Sequence, residues 1–147
     1  MKIIGIEHIG IATESIDKIA PFWKKVLKLN HIHRETIEKM GVITDIYDTG
    51  RGKVELLEQT GKESSIAKFL KKKGPGIHHI CLEVENIEEA ISELKQADIQ
   101  LTNDVPLKGA GESRVVFIHP KSTGGVLVEL VQKPKSKGEK SRTIYLI

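Results

Sequence analysis

The chain has 147 residues, enough for one ordinary domain or for two half-size modules sharing a core. Hydrophobic residues make up 39% and charged residues 29%, the balance of a globular protein, and with aromatics at only 4% the core must be built from Ile, Leu and Val. A net charge of +3 is too small to argue for nucleic acid, no apolar run approaches the roughly 20 residues that a bilayer span needs, and one cysteine excludes an intrachain disulfide.

IIGIEHIGIA (3–12) predicts a strand buried on both faces for much of its length. Thr13, Glu14 and Ser15 offer caps for a helix over SIDKIAPFWKKVLKL (15–29), where Ile16, Ile19, Phe22, Trp23, Val26 and Leu27 fall at helical spacing. Pro21 is expected to bend it. NHIHRETIEK (30–39), GVITDIYDTG (41–50) and KVELLEQ (53–59) predict three strands, the first of them exposed. KESSIAKFLKKKG (62–74) predicts a connecting helix that stops at Gly74-Pro75. IHHICLEV (77–84) is a strand pattern that carries Cys81, expected as an inert buried thiol. NIEEAISELKQA (86–97) predicts a helix capped by Asn86, with Glu89 at capping-box spacing. IQLTN (99–103), SRVVFIHP (113–120) and GVLVELVQ (125–132) predict three more strands. The remainder, 133–147, is a basic tail expected to be solvated, ending in the short apolar RTIYLI (142–147), expected to pack on a sheet edge or on a partner subunit. With no charged-then-apolar leader, the expected compartment is the cytoplasm.

The chain repeats itself. GIEHIGIATESI (5–16) lies on GIHHICLEVENI (76–87) at an offset of 71, which stacks His8 on His79. VELLE (54–58) lies on VELVQ (128–132) at an offset of 74, which stacks Glu55 on Glu129. The expectation is an α+β domain over 1–132, built of two βαβββ modules, about 3–60 and 76–132, with the linker helix 62–74 between them. Modules of this size cannot each bury both faces of their sheets, so they are expected to pair into one curved mixed sheet around a shared cleft.

Each repeated Glu is the odd residue in an apolar strand, and a carboxylate amid buried surface needs a partner to stay ionised. Two imidazoles and two carboxylates around a divalent cation meet that need together. The mixed N/O set suits zinc, cobalt, nickel or manganese. On an octahedral ion, four protein ligands leave two adjacent positions for a substrate with two oxygens. A lone strand histidine is more often a core residue bonded to backbone; recurrence of both types at matching positions favours the metal. Of the other histidines, His78 should face the opposite side of its strand, His31 and His33 read as surface, and His119 could line the cleft.

EHIGIAT (7–13), KVELLE (53–58), SSIAKFLKKKGPGIHHICLEV (64–84) and GAGESRVVFIHPKSTGGVLVEL (109–130) resemble the vicinal-oxygen-chelate (glyoxalase) superfamily, and within it the methylmalonyl-CoA epimerase family. The resemblance covers residues 3–132. It implies metal ligands at His8, Glu55, His79 and Glu129, a divalent ion as cofactor, an acyl-CoA substrate, a homodimer, and inversion of the carbon between a carboxylate and a thioester through an enolate. Some bacterial members use a third-strand Glu as one base; an ungapped match from Gly41 puts Thr44 there, with Asp45 beside it. Glu129 and Asp45 are therefore the acid/base candidates. Arg114, His119, Lys121 and Ser122 are candidates for binding the CoA ester, against a reading of residues 121–125 as a plain turn. A glyoxalase-type enzyme acting on a glutathione hemithioacetal and a non-catalytic binding protein of the same fold are the alternatives.

Overall fold

The apolar run at the start of the chain forms β1 (Ile3–Ala12), which leads through Ser15 into α1 (Ile16–Pro21). This computed structural model of the chain describes residues 1–135. Ser15 caps α1 by accepting from the Lys18 N–H. After Pro21 the helix widens into a π-helical turn over Phe22–Val26, in which the Leu27 N–H donates to the Phe22 carbonyl. The expected bend is this change of pitch. Next come β2 (Asn30–Ile37), β3 (Val42–Asp48), β4 (Lys53–Gln59), α2 (Ser65–Lys73), β5 (Gly76–Val84), α3 (Ile87–Gln96), β6 (Leu107–Lys108), β7 (Arg114–Ile118) and β8 (Val128–Gln132). Asn86 caps α3 as expected, accepting from the Glu89 N–H.

The strand expected at 99–103 is not there. It is reduced to one bridge between Leu101 and Ile118, and the short β6 lies further on. The cause is Asn103. Its side chain accepts from the Phe117 N–H and donates to the Val115 carbonyl, taking ladder positions on β7 that a backbone would need. The last two strands are those expected, shortened at their ends. Of the tail, only residues 133–135 are described; the RTIYLI segment lies outside the described residues.

Among the described residues, the eight strands form one mixed sheet in the order β2-β3-β4-β1-β5-β8-β7-β6. β1 runs parallel to β4 and β5 parallel to β8, while β1 and β5 pair antiparallel at the centre. The Ile9–Ile80 pair lies at the middle, so the first module and the second are related by a pseudo-twofold there. The duplication reaches into the caps. The first N–H of α1, at Ile16, donates to Glu58 at 2.7 Å, and that of α3, at Ile87, donates to Gln132 at 2.8 Å. α1 covers Tyr47 and Leu56, and α3 covers Val84, Val116 and Leu130, all buried. The architecture is the α+β one of two βαβββ modules in one curved sheet. The curl is strong enough that its edges meet: the Gly111 N–H, just after β6, donates to Glu35 of β2 at 3.0 Å. The concave side encloses a cleft of about 1360 Å³. Among the described residues, no helix is long and apolar enough to cross a membrane.

Candidate metal centre

His8 and His79 reach the cleft from the two central strands, Glu55 and Glu129 from the strands that flank them. All four are buried. His8 Nε2 stands 3.0 Å from Glu55 Oε2, 3.2 Å from Glu129 Oε1 and 2.9 Å from His79 Nε2, and His79 Nε2 stands 3.0 Å from Glu129 Oε1. One donor atom each from His8, His79 and Glu129 lies within 4.8 Å of the others. Two imidazole nitrogens and two carboxylates converging this closely, inside a protein, fit a divalent cation in type, in charge and in number.

Backbone placement explains the convergence. Across β1 and β5, His8 is opposite Cys81 and His79 is opposite Gly10. The His79 ring lies over Gly10, and a Cβ there would collide with it. Cys81 is fully buried beside His8, and burial pushes its thiol up to about 12.

The electrostatics follow from the packing. Burial works against ionisation of Glu129, but hydrogen bonds from His79 and His8 outweigh it and hold the carboxyl down at about 2. Burial pulls His8 downward; Cys81, Glu129, Glu55 and Glu7 outweigh it and raise the imidazole far above its ordinary range. Burial would raise Glu7 too, yet His8, Lys133 and Lys53 keep it well below the usual carboxylate range. His78 is pushed down to about 4 by burial and by His79.

The other candidates scatter. Asp45 is fully buried, but it does not line the cleft. It points to the α1 side of the sheet, where it accepts from His31 Nε2 at 2.7 Å, from the Tyr47 hydroxyl at 2.8 Å and from Arg34 Nε at 3.4 Å. Thr44 is the neighbour that faces the cleft. Arg114 pairs with Glu88 of α3, on the outside of the sheet. His119 accepts from the Lys121 N–H, and Ser122 accepts from the Gln100 N–H, so this segment is a capped turn against residues 99–101. None of Arg114, His119, Lys121 and Ser122 lines the cleft. His31 is half-buried against Asp45 rather than free at the surface, and His33 lines the cleft.

Two residues beside the cluster escaped sequence reasoning. Glu7 and His78 both line the cleft next to the histidines that follow them, although alternation would send them to the other face. The available signal was a polar residue before each repeated histidine, inside an apolar run.

Comparison with known proteins follows the same lines. Residues 7–117 match the family described as the Glyoxalase/Bleomycin resistance protein/Dioxygenase superfamily. The chain is 40% identical over 128 residues to the mitochondrial methylmalonyl-CoA epimerase of Homo sapiens, covering 86% of this chain and 73% of that one. It is 36% identical over 129 residues to the ethylmalonyl-CoA/methylmalonyl-CoA epimerase of Cereibacter sphaeroides, covering 86% of this chain and 96% of that one. A solved structure of a methylmalonyl-CoA epimerase in complex with methylmalonyl-CoA and NH4+ matches with a TM-score of 0.85 at 31% identity, over 90% of this chain and 96% of that one.

Proposed function

The chain belongs to the Glyoxalase/Bleomycin resistance protein/Dioxygenase superfamily, and from that premise we propose that it is a metal-dependent epimerase inverting C2 of methylmalonyl-CoA. The observation that carries this reading is the buried cluster of His8, Glu55, His79 and Glu129 set in a cleft of about 1360 Å³. That space exceeds the roughly 300–1,000 Å³ typical of small-ligand sites, which suits the acyl end of a long thioester. The similarity to epimerases supports the choice of substrate.

A divalent cobalt, zinc, nickel or manganese ion held by these four residues supplies a Lewis acid where negative charge develops on a substrate oxygen. The chain's own part is to position, to exclude water and to move protons. Val42, Leu57, Ile66 and Phe117 give the cleft apolar walls, which strengthen every charge interaction inside it. Glu129 is held ionised by its histidines, which makes it a proton acceptor in form, though a weak one at so low a pKa. Inversion needs removal and return of the proton on opposite faces of one carbon. Glu129 can serve one face. Asp45, turned to the other side of the sheet, serves neither, and the Thr44 hydroxyl is committed to the Glu35 carbonyl at 3.4 Å.

The homodimer belongs to the same reading. Ile6 and Ile77 lie on the convex side, opposite the cleft, and are 60% and 63% exposed, with Ile4 and Ile9 beside them. Such an apolar strip suits a second copy of the chain.

Solvent-deuterium incorporation into methylmalonyl-CoA, with metal-loaded and chelated protein side by side, tests the function. Exchange at C2 in the loaded sample alone is the expected result. No exchange with any of the four ions, together with turnover of a glutathione hemithioacetal, would overturn it.

A further inference from the structure

Glu7 and His78 occupy the same place in the duplication, each one residue before a ligand histidine. Each is also the extra residue of a β-bulge. β1 advances from Ile6 to His8 while β5 takes the single step from Leu82 to Cys81; β5 advances from His79 to Ile77 while β1 takes the single step from Gly10 to Ile11. An unbroken strand would turn both side chains to the convex face. The bulges turn them into the cleft, against the rear nitrogen of the neighbouring histidine. Glu7 Oε1 lies 3.1 Å from His8 Nδ1, and His78 Nδ1 lies 2.9 Å from His79 Nδ1. Both ligand histidines thereby present Nε2 to the cluster.

We propose that Glu7 and His78 are positioning residues for the ion, fixing His8 and His79 in the tautomer protonated at Nδ1, and that they do so unequally. This rests on the reading of the four-residue cluster as a metal centre. An imidazole that donates its rear N–H to a carboxylate becomes a more basic ligand at its other nitrogen. Glu7 gives His8 that push, and Lys53 Nζ at 3.3 Å holds the carboxylate in place together with Lys133. His79 has only a neutral acceptor. For the His79 Nδ1–H to donate, His78 must accept at Nδ1 and carry its own proton on Nε2. The fold therefore builds a symmetric set of donors with a strong and a weak side.

The test is zinc and cobalt affinity, by competition with a chromophoric chelator, for the full chain and its Glu7→Ala, Glu7→Gln, His78→Ala and Lys133→Ala variants. Long-range imidazole NMR of the ion-loaded proteins is read alongside. Glu7→Ala is expected to weaken binding about 10–100-fold. Glu7→Gln, which keeps an acceptor but loses the charge, should fall between it and wild type and keep the His8 Nδ1–H signal at its hydrogen-bonded position. His78→Ala should cost less than Glu7→Ala. Lys133→Ala removes a partner of Glu7 but leaves the bond to His8, and should bind nearly as wild type, which separates positioning from a general loss of structure. Unchanged affinity in both Glu7 variants, or a larger loss in His78→Ala than in Glu7→Ala, overturns the proposal. A wild-type chain that takes up neither of these ions, nor nickel or manganese in the same assay, overturns the metal-centre reading and this proposal with it.

Discussion

In the first module His8 sits across from Cys81, with Glu7 behind it; in the second, His79 sits across from Gly10, with His78 behind it. The register of the strands is the same in both, and so is the spacing that carries a Glu into the cleft from the adjoining strand. The contrast continues on the helix side of the sheet. Asp45, paired with Leu56 on β4, has Val116, paired with Leu130 on β8, as its counterpart. Asp45 is wrapped in donors from His31, Tyr47 and Arg34, while Val116 sits in a wholly apolar cluster under α3. The backbone has kept its symmetry and the side chains around the donors have diverged. What a duplication preserves here is the place from which a side chain enters the cleft, not its surroundings.

That comparison can be broken at the donors themselves. His79→Ala and Glu129→Ala should each abolish stoichiometric uptake of a divalent ion, measured by native mass spectrometry; retention of one ion per chain in both variants would remove the metal centre altogether. The pair opposite the histidines sharpens it. Gly10→Ala forces a methyl into the His79 ring and should cost about 1–3 kcal/mol in chemical denaturation, as overpacking does. It should also weaken ion binding. Cys81→Ala, at the equivalent position, creates no clash and should leave ion uptake in place. Equal losses of affinity in the two variants would show that the two sides are not distinct.

The helix side of the sheet offers a test by pH. Burial would raise the Asp45 carboxyl, but bonds from Tyr47, His31 and Arg34 hold it below its ordinary value. A carboxylate with a lowered folded-state pKa contributes stability that is fully present above its unfolded value and is lost as pH falls through the folded one. Acid should therefore loosen the first module before the second, seen as earlier hydrogen exchange in β3 than in β7. Asp45→Asn should cost on the order of 2 kcal/mol near neutral pH, from the weakened charge-assisted bonds, and the gap from wild type should close in acid. A gap that widens in acid would contradict this. The smallest effect is expected at the edge contact. Glu35→Ala removes the acceptor for the Gly111 N–H and should lower stability only slightly, by under about 1 kcal/mol in chemical denaturation, while exchange of the Gly111 amide accelerates.

Much of this was legible beforehand because it depends on local chemistry or on repetition. Asn86, with Glu89 three residues on, reads as a helix start since a short polar side chain can satisfy an N-terminal N–H wherever it occurs. Glu55 and Glu129 stand out by interrupting apolar strands, and the structure brings both next to His8. What was not legible depends on register. Whether Thr44 or Asp45 faces the cleft is a matter of parity, and one residue of slip exchanges the faces. His78 was expected on the far face because alternation says so, and a bulge is the one device that breaks alternation without a sequence signature of its own. Arg114, His119, Lys121 and Ser122 are of suitable chemistry for an anionic ester, yet a salt bridge to Glu88 and a capped turn at Gln100 occupy three of them outside the cleft.

By itself, then, the amino-acid sequence indicated the modules, their order and the four candidate donor positions, because apolar periodicity and an internal repeat are properties of the chain read in one dimension. Only the tertiary structure decided which neighbours stand behind the donors, since that follows from where two antiparallel strands drop out of step. Glu7 and His78 enter the cleft because β1 and β5 each carry one residue more than their partner at equivalent points. No property of either residue alone would have placed it there.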